Sequence, residues 1–311
     1  MKRLIFLFLA AIICVCSLFG QQYTYDFLHI DVSARASALQ GSFVSAKDDP
    51  DVIFYNPASL ATISAPRISL GYMDYILDVN IGSLSYAQRI EGIGNVGAGI
   101  LYANYGSFDR TDELLNVTGT FGAGDLALIA GIATQYEDNL YLGANLKYIF
   151  SSIADFHSSA IAVDVGALYD IPSQNLTLGA RISNIGRQLS TFDGFSESLP
   201  LDFTIGLTKK PEHLPAALSL NFHKLNENAG KFFNRFNDFS LGAEFFLSEA
   251  LRFRAGYSNE QHTDLKMGSN ASLGGYSLGL GLVTKKYLVD YSFNSLGKIG
   301  SINRFSVGLK L

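Results

Sequence analysis

Three short runs in this 311-residue chain have spacings that chemistry could use. Gly275-Tyr276-Ser277-Leu278-Gly279 matches the pattern that lifts a nucleophilic hydroxyl onto a sharp strand-to-helix turn. The flanking residues keep alternating, so Ser277 falls on the small-residue face of a strand with no helix to present it. Gly92-Ile93-Gly94-Asn95-Val96-Gly97 has the spacing by which a backbone approaches a pyrophosphate at a helix start. Residues Ala98 to Tyr105 alternate as a strand instead, which makes these turn glycines. Asp48-Asp49-Pro50-Asp51 gathers three carboxylates but lacks calcium-loop spacing, and reads as a solvated turn. The five histidines, at 29, 157, 213, 223 and 262, form no pair at ligand spacing. The chain is therefore expected to be no enzyme and to hold no metal or cofactor.

A second set of charges is structural in pattern. Glu244, Arg252 and Arg254 fall on neighbouring expected strands, as do Asp290 and Arg304, and all five share the polar face. Cross-strand pairing that lines an interior is the expectation. The alternative is a polar surface that holds an internal segment.

Composition says what kind of wall carries them. Charged residues make up 16% and apolar residues 48%, with 30 Gly, 16 Tyr, 23 Phe and no Trp. Soluble domains average roughly 25% charge. A helical membrane protein needs runs of about 20 apolar residues, and beyond residue 20 none occurs. Alternating strands reconcile the two facts, with tyrosines such as Tyr72, Tyr86, Tyr102 and Tyr136 supplying an aromatic girdle.

Residues 1–20 read as a cleaved signal peptide: Lys2 and Arg3, an apolar core from Leu4 to Val15, and a cleavage region ending at Gly20. Both cysteines, Cys14 and Cys16, lie inside it, which leaves no thiol chemistry to the mature chain. Without Lys2 and Arg3, 21 basic residues face 28 acidic ones, a net charge of −7. That balance disfavours nucleic-acid binding.

From about residue 67 the chain reads as 14 strands: 67–75, 79–90, 94–105, 124–136, 140–152, 157–169, 175–186, 201–210, 215–225, 237–248, 250–258, 271–284, 286–295 and 302–311. Most have about ten residues, the length of a tilted membrane-spanning strand. Leu140, Leu142, Leu146 and Tyr148 alternate with Tyr141, Gly143, Asn145 and Lys147. Short connections (137–139, 171–174, 211–214) alternate with long ones (106–123, 187–200, 226–236, 259–270). This is the asymmetry of a barrel with one rim in the periplasm. The expected fold is an all-β, 14-stranded antiparallel transmembrane barrel over 67–311. Lipid is its first partner and the outer membrane its place.

The segment 21–66 differs. Ser33 precedes Ala34-Arg35-Ala36-Ser37-Ala38-Leu39 as a helix cap, with Gly41 as the stop. Asn56 and Pro57 open a second helical turn. A compact hatch inside the lumen follows from this reading.

These residues also carry a resemblance. Ser33-Ala34-Arg35, Gly41, Asp48-Asp49 and Asn56-Pro57-Ala58 resemble the N-terminal signature of the PorV/PorQ family, outer-membrane proteins of the type IX secretion system with a FadL-like barrel. The modest length and short loops are closer to the PorQ branch, and Gln40 stands where Gly is more usual. The resemblance covers residues 27–61. It implies a component of a secretion and cell-surface attachment complex, with other proteins of that complex as partners. The alternative is a FadL-type transporter of small hydrophobic molecules. An apolar lumen pocket with a lateral opening favours transport, and a sealed polar lumen favours the assembly role.

Overall fold

The computed structural model describes residues 25–194, 196–227, 232–266 and 273–311. The leader expected over 1–20 lies outside them. Fourteen antiparallel strands pair in chain order and close on themselves. They are β1 (Arg67–Asp74), β2 (Asn80–Ile90), β3 (Gly94–Thr111), β4 (Val117–Glu137), β5 (Leu140–Ile153), β6 (Phe156–Ile171), β7 (Leu176–Ser190), β8 (Asp202–Lys209), β9 (Ala216–Phe222), β10 (Phe239–Phe246), β11 (Leu251–Ser258), β12 (Tyr276–Val283), β13 (Tyr287–Ser295) and β14 (Ser301–Lys310). Closure runs from Arg67↔Lys310 to Asp74↔Asn303. Each strand thus has a partner on both sides, as hydrocarbon demands, where an unpaired backbone group costs several kcal/mol.

Period-2 alternation sets the two faces. Leu146 of β5 points outward, 52% exposed, while its neighbours Asn145 and Lys147 point inward and are buried. On β14, Phe305 and Val307 face out, and Arg304 and Ser306 face in. An apolar exterior around a polar interior suits a wall against lipid. Tyr72 and Tyr102, both exposed, stand at one level through Gly82, which pairs with each of them.

The wall is uneven in height. Strands β3 to β7 have 14 to 21 residues, and β8 to β12 have seven or eight. The long loop expected over 106–123 is instead an extension of the β3–β4 hairpin. Phe108 stacks on Phe121 at 5.5 Å, and Asp112 accepts the amides of Leu114 and Asn116 to close the turn. Gly106, at φ +82°, sits at a bulge between Asn104 and Ser107, and this break gives the run its loop-like composition. The 259–270 connection opens with a short helix, Asn259–Asp264, capped by Ser258. Both chain ends of the barrel lie on one rim, where Leu311 donates its amide to the Pro66 carbonyl. That rim faces the periplasm in outer-membrane barrels, and the opposite rim carries the longer loops.

The lumen is filled by residues 25–64. Their buried apolar side chains, among them Phe27, Val32, Phe43, Ile53 and Leu60, form the core against the inner wall. The expected helix after Ser33 is a single turn, Ala34–Ser37. Ser33 caps it through its carbonyl, which accepts from Ser37, and its hydroxyl makes no capping bond. The turn ends where Gln40 (φ +52°) and Gly41 (φ +69°) both enter the left-handed region. Asn56 does cap the turn begun by Pro57: its Oδ1 accepts from the Ala58 amide at 3.1 Å.

Candidate functional site: the hatch and the cavities beside it

The hatch has little regular structure, so its carbonyls need partners from elsewhere. Inward-facing asparagines of the wall supply them. Asn95, Asn145, Asn221 and Asn294 each donate Nδ2 to a hatch carbonyl, those of Ile63, Ile53, Gly41 and Ser37, at 2.6 to 3.0 Å. Arg181 of β7 adds bonds to the carbonyls of Phe54 and Tyr55 while paired with Asp202. The sequence put Asn145 on the polar face but did not mark these residues as hatch anchors. Alternation alone puts them on the inner face, and an amide there is the signal that could have marked them.

Glycines let the hatch come close. An added methyl at Gly143 would lie 2.5 Å from the Pro57 carbonyl carbon, and one at Gly166 would overlap the Asn56 side chain. Gly179 faces the Val44 carbonyl, Gly242 and Gly256 face Leu39, and Gly279 faces Ala38. Ser277, of the glycine–serine–glycine run, lies in β12 and donates to the Ala38 carbonyl.

The charges join hatch to wall. Arg35 bonds Asp49 and Glu244, both at 3.0 Å, and Arg254 bonds Glu244 at 2.7 Å and Asp290 at 2.6 Å. Burial works against the charge of Arg35, but Glu244 and Asp49 outweigh it and raise its pKa. The expected pairing of Asp290 with Arg304 does not form. Register sets Asp290 opposite Ser306 and Arg304 opposite Ser292, and Arg304 instead donates to the Asp31 carbonyl and to Asn294. Arg252, unlike these two, is no lumen charge. It lies at the periplasmic rim, bonded to carbonyls of the 248–251 turn and stacked on Phe246.

The acidic run is likewise no solvated turn. Asp49 and Asp51 are buried, and only Asp48 is exposed, paired with Arg67. Asp49 caps the turn Pro50–Phe54 through the Asp51 amide. Asp51 accepts from Ser85 at 2.6 Å and Ser69 at 3.3 Å. Burial, then the Asp49 charge, push its carboxyl up to about 7.

Two cavities flank the hatch. The one on the loop side has about 390 Å³, and its lining mixes apolar Leu28, Ile30 and Leu101 with polar Arg181, Asp202 and His223. Burial pushes His223 down to about 4, although Asp202 opposes this, so it stands there as the neutral ring. The one on the periplasmic side has about 290 Å³ and includes Arg35, Phe43, Ser45, Thr208 and Glu244. The first lies in the 300–1,000 Å³ range typical of small-molecule sites.

No family model and no curated protein sequence matches the chain. Solved structures do. A deletion mutant of the TodX monoaromatic hydrocarbon channel superposes with a TM-score of 0.57 at 15% identity, over 89% of this chain and 98% of that one. The Pseudomonas putida toluene transporter TodX gives 0.56 at 13% identity, over 90% and 97%. A Pseudomonas aeruginosa FadL homologue gives 0.56 at 10% identity, over 90% and 98%. The fold of this chain is that of a FadL-like outer-membrane β-barrel.

Proposed function

We propose that the chain carries small, largely apolar molecules across the outer membrane, the transporter reading rather than the secretion-complex reading. The observation that carries it is the loop-side cavity, a space of ligand size with apolar and polar side chains in its lining. Its fold likeness to hydrocarbon channels and to a FadL homologue supports the same reading. The test is uptake of radiolabelled hexylbenzene by outer-membrane-intact cells with and without the chain. Leu28→Arg, which puts a charge into the cavity lining, is expected to lower uptake at least fivefold. Equal uptake with and without the chain would remove the proposal.

One observation favours the second reading, a component of a type IX secretion or attachment complex. The hatch is held by ion pairs and close glycine contacts, as in a barrel whose lumen stays shut. In that role the loop rim and the tall β3–β4 hairpin present the surface for protein partners.

A further inference from the structure

The two cavities approach each other at one place. Thr204 and Thr208, both inward on β8, line the loop-side and the periplasmic cavity respectively. Four residue steps of strand separate them, roughly 13 Å. On β9, Asn221 lines the first cavity and Ser219 the second. Hatch residues 41–45 form the partition.

This stretch has no charged side chain of its own to fasten it. Neutral bonds hold it to the wall: Asn221 to the Gly41 carbonyl at 3.0 Å, Ser42 to Ser240 at 2.9 Å, and Ser45 with Thr208 at 2.7 Å. Charge-assisted bonds such as those of Arg35 to Glu244 are about twice as strong. Gly179 of β7 meets Val44 and Ser45, but toward β8 and β9 the glycine contacts lapse. Gly206 of β8 faces the Asn221 side chain rather than the hatch, and β9 contains no glycine.

Two polar atoms beside the partition lack partners among the described residues. Gln40 Nε2 and Asn221 Oδ1 are buried, and both residues line the loop-side cavity. Gln40 holds its place at φ +52°, which a non-glycine residue rarely adopts. The first is a donor and the second, which lies against Gly206 of β8, an acceptor, and a neutral hydroxyl group can complement either.

We propose that solute crosses the hatch between residues 41–45 and strands β8–β10, and that Gln40 and Asn221 select an apolar molecule bearing a neutral hydroxyl. This rests on the transport reading and names its route and solute class. The probe is radiolabelled 4-hexylphenol, with hexylbenzene for comparison, given to cells that display the full chain. Ser45→Cys with Thr208→Cys installs a reducible lock across the partition. Ser37→Cys with Asn294→Cys, at another hatch–wall contact, is the control. Heat-modifiability checks that both variants are assembled.

The expected result is a tenfold or greater loss of hexylphenol uptake in the oxidised first lock, recovery on reduction, and less than a twofold change in the control. Gln40→Leu and Asn221→Leu should each lower the hexylphenol-to-hexylbenzene uptake ratio at least threefold. Unchanged uptake in the oxidised first lock, or equal loss in both locks, overturns the route while transport itself stands. An unchanged ratio in both leucine variants overturns the selectivity. Chain-dependent uptake of hexylbenzene without hexylphenol overturns the solute class and leaves the transport reading in place.

Discussion

Arg35 and Glu244 stand 209 residues apart in the chain and meet at 3.0 Å inside the barrel. Glu244 also binds Arg254, which is 2% exposed and holds Asp290 on its other side. One carboxylate therefore serves the hatch and the wall together. Glu244→Gln leaves the buried Arg254 and the partly buried Arg35 short of countercharge, and breaking a buried pair costs about 3–5 kcal/mol. The barrel's backbone ladder does not depend on it. Hydrogen exchange should show faster opening of residues 33–39 and unchanged protection in β3 to β7.

The glycine contacts predict a sharp positional contrast. Gly143→Ala sets a methyl against the Pro57 backbone, which cannot rotate away as a side chain can, and should cost about 1–3 kcal/mol. Gly82→Ala meets nothing within 4 Å and should stay within about 0.5 kcal/mol. Urea midpoints of hatch release, read by limited proteolysis, compare the two.

Asn56 does more than cap a turn. Its Nδ2 donates to the carbonyls of Val44, at 2.7 Å, and Ala167, at 3.2 Å, so it ties two hatch segments to β6. Asn56→Ala loses the cap, worth about 0.5–2 kcal/mol, and strands buried carbonyls at about 1–3 kcal/mol. Proteolysis of the hatch should speed up accordingly while the barrel keeps its heat-modifiability.

Asp51 makes anchoring of the hatch depend on pH. Its folded pKa of about 7 lies above the ordinary 3.8, so the folded protein binds this proton more tightly than the unfolded chain. The resulting stability is fully present below about pH 4 and is lost as pH rises through about 7. Asp49, Ser33, Ser69 and Ser85 are polar groups around it. His223, pushed down to about 4 by burial, does not titrate between pH 6 and 8. Exchange of the amides of residues 50–56, corrected for intrinsic rates, should quicken from pH 6 to 8 in the native protein, and Asp51→Asn should flatten that slope.

Lipid exposure gives a test of the wall. Leu142→Arg and Leu146→Arg put a charge on the outward face and should cost about 2–4 kcal/mol if near the bilayer midplane. Asn145→Ser, on the inward face, loses only its bonds to the Ile53 carbonyl and Asp164. Folding titrations into lipid vesicles would show the difference, and equal costs would reverse the faces.

Much of the barrel was legible because period-2 alternation is a local signal. Leu146 and Lys147 declare their faces from their neighbours alone. The β3–β4 hairpin was not, since Gly106, Gly119 and Gly122 thin the pattern that Phe108 and Phe121 restore only by stacking across strands. The hatch was legible as a separate unit through Asn56-Pro57 and the alanine-rich turn. Its fastening was not. Asp49 and Asp51 read as solvated until the fold brings Arg35, Ser69 and Ser85 to them. Likewise, Arg304 finds Asp31 and Asn294 rather than Asp290, because register decides which inward residues stand level.

The transport claim is tested most directly in cells from which this chain has been deleted, measuring hexylbenzene uptake beside the surface attachment of secreted cargo. The account predicts that uptake falls at least fivefold, returns when the chain is restored, and that cargo attachment is unchanged throughout. Unchanged uptake with cargo lost from the surface would contradict it and establish the secretion-complex reading in its place.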